Sequence, residues 1–190
     1  QDMAIFREAA IQLEKKREEL MDTWGMDPVP DEPTPKGKGR GAERAFSVQN
    51  YGMMKWGDLF NARQKLALIT FADKVRQTHS RMLAAGHDPD YTKAVLSYLA
   101  CGISRLADQS TVLVRWITQL EAVASTFTRQ ALGMVWDYVE ACPFTYFSNS
   151  LDWIDRIIDH LLKVVPQFLT NAYRQPVVLQ ASATLLPYDD

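Results

Sequence analysis

Two stretches of the 190-residue chain set residues with useful chemistry side by side. In Tyr51–Gln64, the aromatics Tyr51, Trp56 and Phe60 lead into Asn61 and the pair Arg63-Gln64. In Phe127–Phe144, Arg129-Gln130 follows Phe127, with Trp136 and Tyr138 further on. Arg and Gln make forked hydrogen bonds to phosphates and to base edges, and aromatic rings stack on an extruded base. The same residue types also serve plainer ends: aromatics fill a core, and Arg-Gln pairs cap helices or sit at the surface. Lys36, Lys38, Arg40 and Arg44 form the only dense basic run. A flexible basic loop meets phosphates by releasing their counterions; the alternative is a solvated linker.

Other chemistries find less support. His79, His87 and His160 have no second His or Cys at metal-ligand spacing, so no metal site is expected. Cys101 and Cys142 form no C-x-x-C pair and read as free, buried thiols of a cytoplasmic protein. No P-loop, G-x-S-x-G or G-x-G-x-x-G is present. The alternating Gly37, Gly39 and Gly41 fall in a proline-rich stretch and not after a strand. Hydrophobic residues make up 47% of the chain, enough for a packed core. A net charge of -2 gives no overall pull toward nucleic acid, so any such contact must be local. No apolar run reaches the ~18 residues of a membrane span.

The elements that would position these residues are mostly helical. Phe6, Ala9, Ala10, Leu13, Leu20 and Met21 give an amphipathic helix over about Met3–Trp24, within residues 1–24. Residues 25–50 read as a Pro/Gly-rich basic linker, with Pro28, Pro30, Pro33 and Pro35 before the basic run. A helical region is expected over 51–175. Its first helix runs from Ala62 to about Ala85 and stops at Gly86. Asp88-Pro89 starts the next, with Tyr91, Val95, Leu99, Ile103 and Leu106 as its apolar stripe. Phe127, Ala131, Met134, Val135, Tyr138 and Val139 fit a helix face in the second half of Glu121–Glu140. There Trp136 is expected as a core anchor and Arg129 as a functional group near the helix start. Asn149 caps a further helix that ends near Pro166, and Val177-Val178-Leu179 reads as a single buried strand. The fold class is therefore mainly α: five or six helices, a proline-rich loop and one C-terminal strand. Both chain ends look cut, which implies a piece of a larger protein.

The two aromatic, Arg-Gln-bearing stretches resemble a family of large prokaryotic adenine-specific DNA methylases, the type with a zinc-ribbon and an N-terminal domain of unknown function. The family shows Tyr-Gly-Met, then Trp-Gly-Asp-Leu-Phe-Thr-Pro-Arg-Gln. Tyr51-Gly52-Met53, Trp56-Gly57-Asp58-Leu59-Phe60, Arg63 and Gln64 match, with Asn61-Ala62 in place of Thr-Pro. A second family block, Phe-x-Arg-Gln-Ala-Leu-Pro-Met-Val-Trp-Asp-Phe-x-Glu, is matched by Phe127, Arg129, Gln130, Ala131, Leu132, Met134, Val135, Trp136, Asp137 and Glu140, with Gly133 for the proline. Ala181–Pro187 looks like the segment just before the family's catalytic Asp-Pro-Pro-Tyr motif.

The resemblance implies an S-adenosylmethionine-dependent DNA adenine methyltransferase. This chain would be a bundle-like helical insertion between cofactor loop and catalytic motif, inactive alone and with no cofactor bound, and residues 176–190 would begin a truncated methyltransferase sheet. Phe60, Asn61, Arg63 and Ser182 would lie on the cofactor side. Lys36, Lys38, Arg40, Arg44, Arg129 and Gln130 would meet DNA. DNA and the remaining methyltransferase domain would be its partners, with no membrane. Two other readings stay open: a helical scaffold that binds protein, and a stand-alone nucleic-acid-binding module.

The Asn61-Ala62 substitution keeps one physical feature of Thr-Pro. Asn caps a helix as well as Thr does, Ala propagates it, and Gln64 falls at the capping-box position.

Overall fold

A computed structural model describes residues 2–39, 41–140 and 142. Helix α1 (Asp2–Trp24) forms from straight-chain Glu, Lys, Gln and Arg around an apolar stripe, and closes at Gly25, whose φ of 68° lets its N–H reach Met21 O at 2.9 Å. Leu13 and Leu20, two turns apart, are buried against Ile69, with Trp24, Val29, Ala62 and Leu66 packed around them. Lys16 Nζ bridges Glu19 Oε1 at 3.1 Å and the buried Asp73 Oδ2 at 2.8 Å. Arg17 forks onto Asp27, and the Arg76 guanidinium lies 4.4 Å over the Trp24 ring.

Helix α3 (Ala62–Ala84) starts as its sequence predicts. Asn61 Oδ1 accepts from Gln64 N at 3.0 Å while Asn61 N donates to Gln64 Oε1 at 2.9 Å, a reciprocal capping box. It ends with Gly86 at φ 81°, where Gly86 N donates to Leu83 O at 3.0 Å and His87 N to Met82 O at 3.1 Å. Helix α4 (Pro89–Asp108) follows at once: Asp88 Oδ1 accepts from Asp90 N and Tyr91 N, and Pro89 takes the first helical position. α3 packs against both α1 and α4. The buried stripe of α4 runs through Thr92, Gly102 and Leu106; Tyr91, expected within it, is exposed.

The proline segment is laid along the approach to α3. Thr34 N donates to Met54 O at 2.9 Å, Trp56 N to Glu32 O at 3.0 Å and Gly57 N to Pro30 O at 3.0 Å, and Pro33 pairs antiparallel with Lys55. Thr34 is buried, its hydroxyl donating to Met53 O at 2.8 Å. Prolines fit here because the bonded donors belong to other residues. The four-residue helix α2 (Ala42–Ala45) and short 3₁₀ turns at Val48–Tyr51 and Trp56–Leu59 complete this half. Past α4, β1 (Trp116–Ile117) and β2 (Ala122–Val123) form a small antiparallel hairpin, with Trp116 opposite Val123.

The helix expected in the second half of 121–140 is absent. Apolar residues recur there at near-helical spacing, but the backbone groups are taken by another segment. Leu132 N donates to Ala45 O at 2.6 Å, Leu132 O accepts from Ser47 N at 3.1 Å and Val48 N at 3.4 Å, and Met134 N donates to Ser47 Oγ at 3.0 Å. A backbone group bonded elsewhere cannot close an i to i-4 turn. Arg129 consequently stands at no helix start. Leu132, with Val48, Leu59 and Leu113, forms the second buried cluster. Trp136 is not a core anchor: it is 79% exposed, its ring edge-to-face with Tyr51 at 5.2 Å.

Helix accounts for 56% of the described residues and strand for 4%, so the class is mainly α, as expected. Among these residues no helix is long and apolar enough to cross a membrane. The helix expected after Asn149, the strand at Val177–Leu179, and Ser182 lie outside the described residues, as does Arg40.

Candidate functional site

The two stretches singled out by their chemistry are packed against each other. Trp56 meets Phe127 at 6.0 Å between ring centroids, and Tyr51 meets Trp136. At the start of α3, Asn61 Nδ2 donates to the Tyr138 hydroxyl at 2.7 Å, and that hydroxyl donates to Glu140 Oε2 at 2.8 Å. Arg63 forks onto Glu140, with Nε to Oε1 at 3.1 Å and a second contact from Nη2 to Oε2. Its guanidinium also lies 5.6 Å over the Phe6 ring. The hydrogen bond to Glu140 raises the Arg63 pKa above its ordinary value, and burial together with Glu140 raises that of the Tyr138 hydroxyl.

This clasp bears on the residues expected beside S-adenosylmethionine. Phe60 packs into the second buried cluster, Asn61 uses both side-chain groups on Gln64 and Tyr138, and Arg63 is held by Glu140. Arg63 is bonded through Nε and Nη2, which leaves Nη1 without a hydrogen bond to the described residues. As arranged, the three brace the start of α3.

The basic residues divide differently. Arg44 from α2, Arg105 from the last turn of α4, Arg115 just before β1 and Arg129 line a single groove of about 850 Å³. The rest of its wall comes mainly from Ala122–Thr126 and Ala131–Val135. Among the described residues that line it there is no Asp or Glu. Arg105 Nη1 is engaged by Asp108 Oδ2 at 2.8 Å and Ser125 Oγ at 2.7 Å. The guanidinium groups of Arg44, Arg115 and Arg129 make no hydrogen bond or ion pair with the described residues. A groove with the free guanidinium groups of Arg44, Arg115 and Arg129 and no carboxylate in its described lining suits a polyanion, since forked guanidinium–phosphate bonds are among the strongest a side chain makes.

Of the residues expected to meet DNA, the structure brings Arg44 and Arg129 together across this groove although they are far apart in sequence. Gln130 is exposed beside Arg129. Lys36 and Lys38 are exposed ahead of α2 and do not line the groove. Arg105 and Arg115 were missed. A signal for Arg115 existed: no acidic residue lies within four positions of it, nor of Arg129, so neither has a local partner for its charge. Cys101 and Cys142, expected buried, are exposed. Among the described residues no group of three His, Cys, Asp or Glu side chains is placed to hold a metal ion. In comparisons with known proteins, no family model, no curated protein and no solved structure matches this chain.

Proposed function

We propose that the chain is the helical part of an S-adenosylmethionine-dependent DNA adenine methyltransferase of the large prokaryotic type, and that its arginine groove holds DNA phosphates. The observation that carries the DNA-binding part is the grouping of Arg44, Arg105, Arg115 and Arg129 around one groove whose described lining has no carboxylate. The net charge of -2 makes this local concentration more telling, since the chain as a whole does not attract DNA. The methyltransferase part rests on the resemblance of the two blocks, and their mutual packing supports treating them as one unit. The methyl donor would be S-adenosylmethionine held with the rest of the methyltransferase, with Phe60, Asn61 and Arg63 on its side of the chain. The rest of the methyltransferase would be the chain's protein partner, and a cytoplasmic location follows from this reading.

The test is a salt titration of binding to a labelled duplex, with the chain and its Arg44→Ala, Arg115→Ala, Arg129→Ala triple variant. Each phosphate contact contributes about 0.9 to the slope of log affinity against log salt, so losing all three flattens it by about 2.7. An unchanged slope overturns the groove as a phosphate site. A second reading, a scaffold for another protein, is favoured by one feature: Met3, Ile5 and Ile11 on α1 are 67%, 52% and 63% exposed. Binding through that face would be insensitive to salt.

A further inference from the structure

Trp136 combines a large apolar ring with 79% exposure, and Tyr51 beside it is 50% exposed. Their rings meet edge to face at an interplanar angle of 89°. At that exposure the indole keeps a broad face open. The pair is also held in place from both sides. Tyr51 ends the 3₁₀ turn that begins at the fully buried Val48, and Leu132 and Met134 tie the backbone before Trp136 to Ala45 and Ser47. On the far side of Trp136, Asp137 Oδ2 accepts from Trp116 N at 3.0 Å. The stretch Ala131–Val135 that lines the arginine groove runs directly into Trp136.

We infer that Tyr51 and Trp136 form a stacking platform for an unpaired base, and that the groove and the platform together take a single-stranded segment of nucleic acid. This rests on the reading of the groove as a phosphate site. The occupant follows from charge and ring chemistry. Free guanidinium groups with no carboxylate among the described lining select a polyanion over an apolar protein surface. An open aromatic face on the residue that continues the groove wall selects a partner with exposed bases. In a duplex the base faces are covered by their neighbours, so only an unpaired base has a face to offer. A preformed ring pair lowers the ordering cost of such a contact, because neither ring has to be immobilised on binding.

The experiment compares three fluorescein-labelled probes by anisotropy: a single strand of about 16 nucleotides, the same strand with abasic residues throughout, and the duplex. Stacking of one base on an aromatic side chain corresponds to about 5- to 150-fold in affinity. Trp136→Ala is expected to weaken binding of the base-bearing single strand by that factor, with the salt slope and the affinities for the abasic strand and the duplex unchanged. Trp136→Phe is expected to recover most of the loss, and Tyr51→Ala to reproduce part of it. Because Trp136 is largely exposed, its variants are expected to fold, and far-ultraviolet circular dichroism checks this. Equal losses on the abasic and base-bearing strands overturn the inference, as does no loss on any probe. The two readings fail separately. If the arginine variants flatten the slope while Trp136→Ala changes nothing, the platform fails and the groove stands. If the arginine variants leave the slope unchanged, the groove reading fails and takes the platform with it.

Discussion

Leu132→Ala and Trp136→Ala, four residues apart, separate the observed structure from the helix that the sequence suggests. On a helix the two would share a face, and Trp136 as a core anchor would cost about 3–5 kcal/mol on truncation. In the structure Leu132 is 3% exposed and enclosed by Val48, Leu59 and Leu113, whereas Trp136 is 79% exposed. Leu132→Ala therefore removes a fully buried side chain, at a cost of about 2–5 kcal/mol. Trp136→Ala loses little beyond its edge-to-face contact with Tyr51, and such a pair is worth about 0.5–1.5 kcal/mol. Urea unfolding followed by circular dichroism resolves the difference. With a slope of about 2 kcal/mol/M, the midpoint falls by about 1–2.5 M for Leu132→Ala and by about 0.25–0.75 M for Trp136→Ala. A Trp136→Ala loss as large as that of Leu132→Ala refutes the extended path of this segment.

Three further outcomes follow from the same structure. Asn61→Ala removes the acceptor for Gln64 N and is expected to cost about 1 kcal/mol by chemical denaturation, with Asn61→Asp keeping most of the cap; equal losses would remove capping as the cause. Burial pushes the Asp73 pKa up, but Lys16, Gln77 and Lys74 together pull it down further, so its folded-state pKa lies below the ordinary carboxylate value. Its ionisation therefore adds stability above that ordinary value, about 3.9, which is lost as pH falls through the folded-state value. The chain should accordingly lose more stability than Asp73→Asn on acidification from about pH 5 to pH 2.5, and parallel curves would contradict the pairing. Incubated with tritiated S-adenosylmethionine and mixed DNA, the 190-residue chain should transfer no label, because it contains no Asp-Pro-Pro-Tyr motif; any catalytic transfer would overturn its assignment as a non-catalytic part.

What could be read in advance was the local chemistry. α3 and α4 were legible at both their starts and the glycine stop between them, because Asn61, Gln64, Gly86, Asp88 and Pro89 act on backbone groups within a few residues. Residues 127–140 were misread because their apolar spacing imitates a helix while their hydrogen-bond partners lie at Ala45 and Ser47, more than eighty residues earlier. The proline segment looked like a free linker for the same reason: nothing local reveals that Glu32 and Thr34 bond to Trp56 and Met54. The groove was half legible. Arg44 and Arg129 were picked out by composition, while Arg105 and Arg115 join them only because α4 and the hairpin bring them round. Arg63 was identified as important by its type and spacing, but its partner Glu140 shows its structural role to be a brace between the two blocks.

Hydrogen–deuterium exchange of the chain, with and without a saturating single-stranded or duplex oligonucleotide, tests the central claim most directly because it locates the contact. The account predicts slower exchange concentrated in the peptides carrying Arg44–Ser47, Arg115–Leu120 and Ala122–Val135, which carry three of the groove's arginines and most of its wall. Protection confined to the exposed apolar residues Met3–Ile11 of α1, with the groove peptides unchanged, would contradict it.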